Sequence, residues 1–134
     1  MVDAFINAFF TVIVIALLSF AVLSIPFLAA ARLSRRSARP RLLKAFLAGS
    51  MLLSVFQSTM HFRMQARLAP IRDEFRSASH MDSDSYVRTD MDIIDRRDAL
   101  LRDEGYVGIG RWWASWGGWR PRVDTTMIYL YLPL

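Results

Sequence analysis

From Ala4 to Ala31 the chain runs for 28 residues without one charged side chain, and 23 of them are apolar. The exceptions are Asn7, Thr11, Ser19, Ser24 and Pro26. A helix needs about 20 such residues to cross a hydrocarbon layer of roughly 30 Å. At about 1.5 Å per residue this stretch reaches ~42 Å, so a spanning helix here must tilt, bend at Pro26 or protrude. A secretory signal peptide is the rival reading, and Ala29-Ala30-Ala31 resembles a cleavage site. Against it, Asp3 precedes the stretch with no basic residue beside it, and the apolar run exceeds the usual ~7–15 residues. The expectation is an uncleaved transmembrane helix over residues 4–31.

The rest of the chain is built differently. Overall it is 54% hydrophobic and 22% charged, but ten of its twelve acidic residues fall between positions 71 and 104. Such segregation reads as a membrane part joined to a water-exposed part rather than one mixed core. The chain has no cysteine, which excludes disulfides, thiolate metal sites and thiol catalysis. Its net charge is +5, and sixteen of its seventeen basic residues are arginine. Arginine's planar donor fork suits phosphate and buried ion pairs, although a GC-rich genome also favours its codons.

Arg32, Arg35, Arg36, Arg39, Arg41 and Lys44 follow the first apolar stretch with no acid among them. Six cations beside a span act as a stop-transfer and orientation signal, placed on the cytoplasmic or matrix side. They also attract anionic headgroups, at about 1 kcal/mol per basic residue. Residues 32–44 are expected to form an Arg-rich loop, broken at Pro40. Residues 45–62 then form a second stretch without Lys, Arg, Asp or Glu, with 11 of 18 apolar. Ser50, Ser54 and Ser58 recur every four residues on one face, a spacing that lets membrane helices approach closely. The reading is a second span packed on the first or on another subunit; an interfacial amphipathic helix is the alternative.

Residues 63–104 read as an amphipathic and charged helical region. Met64, Leu68, Ile71 and Phe75 form a narrow apolar stripe that rests on a partner, with a kink or a new helix at Pro70. Residues 77–86 are polar and turn-forming. A helix is expected from about Asp90 to Glu104, with Thr89 and Asp92 resembling a capping box and Gly105 ending it. Its apolar face is Ile93, Ile94, Leu100 and Leu101, too few for a core alone. Asp92–Arg96 and Asp98–Arg102 are expected i,i+4 pairs. Residues 105–134 hold five of six glycines and all four tryptophans, and read as an extended tail. There Trp112, Trp113, Trp116, Trp119, Arg120 and Arg122, with Arg111, are the expected partner or lipid anchors.

Catalytic and cofactor chemistry finds little footing. His61 and His80 have no second ligand at metal spacing, so a haem at His61 is a remote option. Asp82-x-Asp84 and Asp90-x-Asp92 lack the glycine and final acid of a calcium loop. No phosphate loop or nucleophile elbow is present, and neither catalytic, cofactor nor metal residues are expected. The fold class is an all-α membrane protein, a helical hairpin with short amphipathic helices and an aromatic tail. Its general shape resembles that of non-catalytic supernumerary subunits of energy-transducing complexes, such as the mitochondrial respiratory chain or ATP synthase. That analogy implies other membrane subunits and anionic phospholipids such as cardiolipin as partners, no nucleic acid or small-molecule substrate, and the mitochondrial inner membrane as location. The alternative is a small homo-oligomeric protein of a bacterial inner membrane, a pore or a transporter regulator.

Overall fold

The computed structural model describes residues 2–78, 83–109 and 128–133. The chain is mostly helical. In order, it comprises α1 (Val2–Leu33), a 3-10 turn (Arg36–Ala38), α2 (Arg39–Ala78), α3 (Ser83–Asp103), β1 (Tyr106–Gly108) and β2 (Tyr129–Tyr131). It divides into two compact units, Met1–Thr59 and Met60–Leu134.

The first unit contains α1 and the N-terminal part of α2. Both helices are long and apolar enough to cross a membrane. Phe46 of α2 stacks on Phe27 of α1 at 4.7 Å and meets Phe20 edge-on at 5.6 Å. One turn further along, a Cβ at Gly49 would lie 3.7 Å from Leu23, an ordinary contact. The burial pattern is the reverse of a water-soluble protein's. Thr11, Ser19, Ser50 and Gln57 are buried beside Ile15, while Phe5, Phe9, Phe10, Leu17, Ile25, Met51, Leu52 and Val55 are exposed. Thr11 and Ser19 satisfy their hydroxyls on the carbonyls of Asn7 and Ile15, each at 2.8 Å, so they sit inside without an unmet donor.

The expected Arg-rich loop is mostly helical instead. Only Ser34 and Arg35 separate α1 from the 3-10 turn, and α2 starts at Arg39. Arginine, leucine and alanine are good helix formers, so both helices propagate into the cluster. Pro40 does not break the chain but occupies the first turn of α2, where its missing N–H has no intrahelical partner to lose. Pro70 likewise neither ends α2 nor starts a new helix. It costs the helix the bond to the carbonyl of Ala66, but Ala66 and Pro70 are both exposed, so water can take that carbonyl.

The second unit supplies the partner that the apolar stripes call for. Met64 and Leu68 of α2, Leu101 of α3, Tyr106 of β1 and Tyr129 of β2 form one buried cluster, flanked by Met60, Ile71, Leu100 and Tyr131. Helix α3 begins at Ser83, earlier than expected, and removes part of the expected 77–86 loop; residues 79–82 lie outside the described ones. Its end falls where the sequence places it. Gly105 follows with φ +77°, donating to the Arg102 carbonyl at 3.2 Å. A side chain there would be strained by the backbone and would also meet Pro133 at 3.4 Å.

The ion pairs also differ from expectation. Arg96 reaches Glu74 of α2 at 2.7 Å rather than pairing back to Asp92, Arg67 pairs with Glu104, and Arg102 lies 3.7 Å from Asp103. Arg67 and Arg96 reach carboxylates across the two-helix contact, whereas Arg102 stays beside the adjacent Asp103.

The all-α expectation requires one correction. The two ends of the Gly/Trp-rich segment are strands, with β1 antiparallel to β2 in the register Tyr106↔Tyr131, Val107↔Leu130 and Gly108↔Tyr129. Ladder-type bonds continue beyond the strands, from Ile109 N–H to the Ile128 carbonyl and from Leu132 N–H to the Gly105 carbonyl, each 2.8 Å. The alternating tyrosines carry the reason. On a strand every second side chain faces the same way, so Tyr129 and Tyr131 both turn toward the helices, and Tyr106 joins them from β1.

Candidate functional site

Three groups of residues were expected to carry function, and the structure describes two of them. The first is the basic cluster. Arg32, Arg35, Arg36, Arg39, Arg41 and Lys44 are all exposed, at the connection between two helices whose exposed faces are apolar. No recorded salt bridge among the described residues involves any of the six. The nearest acidic residues in sequence are Asp3 and Asp73, so local neutralisation is not available from this chain's neighbouring positions.

The second group is the serine face. Ser50 is fully buried, and Ser54 and Ser58 are half-buried. Ser54 donates to the Ser50 carbonyl at 2.7 Å. The hydroxyls of Ser50 and Ser58 are buried without a hydrogen-bond partner. The face therefore points into the protein at Ser50. Sequence reasoning missed its counterpart on α1: Thr11, Ile15 and Ser19 are all buried, and their spacing of four was there to be read.

The third group, Trp112, Trp113, Trp116, Trp119, Arg120 and Arg122, lies outside the described residues. What the structure adds is how that segment is held. Its two ends are joined by the β1–β2 ladder, and the ladder rests on the buried cluster of α2 and α3.

A further junction was not foreseen. In the register above, Gly105, Val107 and Ile109 are the ladder-bonded positions, so the N–H of Tyr129 points away from β1. It donates to Nδ1 of His61 at 3.0 Å, and the His61 ring stacks on the Tyr129 ring at 5.6 Å. The tautomer follows from this bond. Nδ1 uses its lone pair as an acceptor, so the ring proton of neutral His61 sits on Nε2. Neither nitrogen then offers a free lone pair to a metal, which argues against a haem ligand at this position. Nearby, the Tyr106 hydroxyl donates to the Met60 sulfur at 3.5 Å. His61 is thus a clasp between α2 and β2. Among the described residues, no group of three or more His, Cys, Asp or Glu is placed to hold a metal ion.

Asp92 is exposed on α3, and Asp82 lies outside the described residues. The recognisable chemistry of this chain is therefore its charged connection, its polar helix faces and its clasped terminal segment. Compared with known protein families, with characterised proteins and with solved structures, the chain matches none.

Proposed function

We propose that this chain is a two-span membrane protein with a structural role, an accessory subunit that binds other subunits of a membrane complex. The observation that carries the membrane part is the inverted burial of the first unit, with hydroxyls inside and large apolar side chains outside. In water such a surface is a continuous aggregation site, whereas in lipid it is the ordinary exterior. The contacts of Phe46 with Phe20 and Phe27 support a hairpin of the two spans. The six-cation connection lies on the cytoplasmic or matrix side and takes anionic headgroups.

The assembly role rests on the terminal segment. Four tryptophans fall within eight positions of a stretch whose ends are already tied together. Tying the ends reduces the entropy that docking would otherwise cost, and clustered tryptophans are typical binding anchors. The complex is proposed to be of the energy-transducing kind, by analogy of general shape alone.

Two experiments test this reading. The chain is free of cysteine, so single cysteines can report sidedness. Labels at positions 2 and 134 are expected to react from one side and a label at position 37 from the other. Opposite-side reaction of positions 2 and 134 would leave a single span. The second experiment replaces Trp112, Trp113, Trp116 and Trp119 by alanine in the full chain. Membrane insertion is expected to persist while recovery of co-purifying subunits drops tenfold or more, since a buried tryptophan anchor is worth about 2 kcal/mol or more. Undiminished recovery would move the assembly contact to the spans, and recovery of only further copies of this chain would support the homo-oligomeric alternative.

A further inference from the structure

The paired strands have two unlike faces. Residues paired across an antiparallel ladder lie on one side of it, and successive pairs alternate. The pairs Tyr106↔Tyr131 and Gly108↔Tyr129 face the helices, where Tyr106 and Tyr129 join the buried cluster. The intervening pair, Val107↔Leu130, therefore faces away, and the bond between Ile109 and Ile128 extends that side by one pair. Leu132, two positions after Leu130, continues it at the other end. Val107 is 42% exposed and Leu132 46%, while Ile109, Ile128 and Leu130 are half-buried. All five are aliphatic, and no charged residue occurs at 105–109 or 128–133. Elsewhere the same unit exposes Arg63, Asp92, Asp95 and Arg102, so this face is set apart from the rest of its surface.

The attachment of the strands fixes where along α2 this face lies. The Tyr106 hydroxyl donates to the Met60 sulfur, and the Tyr129 N–H to Nδ1 of His61. Met60 and His61 belong to the last turn of the charge-free stretch 45–62, and Arg63 is the first cation after it. Helix α2 runs through this boundary without a break. On the two-span reading, on which this inference rests, that turn is where α2 leaves the hydrocarbon. A strand pair held there against the side of the helix turns its outer face along the bilayer surface. Open strand edges are costly within hydrocarbon, but at the boundary water and headgroups can satisfy them.

We propose that the aliphatic face of the strand pair, led by Val107 and Leu132, is a membrane contact, seated at the headgroup and upper-chain level of the bilayer that α2 crosses. Two observations favour lipid over a protein as its occupant. The tie to Met60 and His61 sets its depth at the membrane boundary. Its side chains are also purely aliphatic, whereas protein interfaces are enriched in aromatic and arginine anchors and ringed by polar groups. Shallow apolar side chains with an exposed arginine close by, here Arg63, are the composition of an interfacial membrane contact. The contact is separate from the basic connection at residues 32–44.

The test uses the full chain in phosphatidylcholine nanodiscs. Because the chain has no cysteine, the variants Val107→Cys, Leu132→Cys, Val55→Cys and Asp95→Cys each take one fluorophore. The quenchers are a lipid nitroxide near the headgroup, a lipid nitroxide near the chain end, and aqueous iodide. Labels at 107 and 132 are expected to lose several-fold more emission to the shallow nitroxide than to either of the others. Val55→Cys, exposed within the second apolar stretch, reports the span through the deep nitroxide, and Asp95→Cys, exposed on α3, reports water through iodide. Carbene labelling of the wild-type chain by a lipid with a diazirine near its headgroup does not depend on any variant folding. Mass spectrometry is expected to find the insertion at residues 106–109 and 128–133. Labels at 107 and 132 that answer to iodide, with no carbene insertion in the strands and Val55→Cys still quenched by the deep nitroxide, overturn the proposal and leave the spans in place. Labels at 107 and 132 that no quencher reaches while another subunit co-purifies assign the face to a protein and also overturn it. A label at 55 that answers to iodide sinks the two-span reading, and the proposal with it.

Discussion

Tyr129→Ala is expected to dismantle the second unit while leaving the first intact. The side chain is almost fully buried, in contact with the cluster of Met64, Leu68, Leu101 and Tyr106. Removing a buried aromatic ring from a packed core costs about 3–5 kcal/mol. A unit of this size has a total stability of only about 5–15 kcal/mol at best, so the loss is a large fraction of it. Hydrogen exchange, read segment by segment, is the measurement. Amides of α3 and β1 are expected to lose protection by two or more orders of magnitude, and those of residues 5–50 to keep theirs. A loss below about 1 kcal/mol would show that the strands rest on the helices without forming their core. His61→Phe separates packing from hydrogen bonding at the same junction. It keeps an aromatic ring against Tyr129 but leaves the Tyr129 N–H without its acceptor, at a cost of about 1–3 kcal/mol.

The second large effect concerns the two apolar helices. Simultaneous Ser50→Leu, Ser54→Leu and Ser58→Leu is expected to separate α2 from α1. Ser50 is fully buried, so a branched side chain has no space there, and Ser54 and Ser58 add bulk beside it at half-buried positions. Overpacking costs about 1–3 kcal/mol per position in a well-packed interior. Energy transfer between dyes on Val12→Cys and Thr59→Cys, followed through a detergent titration, reads the separation. The variant is expected to lose transfer at a lower denaturing-detergent fraction than the parent. Ala45→Leu with Ala48→Leu adds comparable bulk at exposed positions and should have little effect. Ser50→Ala separates size from polarity. Because the Ser50 hydroxyl is buried without a partner, its removal is expected to be neutral or mildly stabilising. An unchanged titration for the triple leucine variant would mean that the serine face takes no part in helix packing.

The sequence shows clearly where the chain is apolar and where α3 stops. A run of 28 uncharged residues and a second of 18 can be read by counting, because the requirement they meet is one of length and composition. The end of α3 at Gly105 was equally legible, since the left-handed conformation there is a local matter that glycine meets best. The stripe Met64, Leu68, Ile71 and the face carrying Leu100 and Leu101 were visible as incomplete surfaces. Nothing local said that each would be the other's partner.

What only the tertiary structure decided is how distant positions meet. Pro40 was read as a break and Pro70 as a kink or a new start, because their effect was judged from local geometry. Pro40 falls in a first turn and Pro70 on an exposed face, and neither placement is a property of the residue itself. The ion pairs were assigned within one helix, where spacing can be read, but Arg96 and Arg67 found carboxylates across the helix pair. The Gly/Trp-rich segment reads as an extended tail because three-residue strands carry almost no periodic signal. They exist because a ladder closes between residues more than twenty positions apart and because His61, 68 positions before Tyr129, accepts the N–H left outside that ladder. Local chemistry sets which conformations each segment can adopt, whereas the pairing of a donor with a distant acceptor depends on the packing that brings them together.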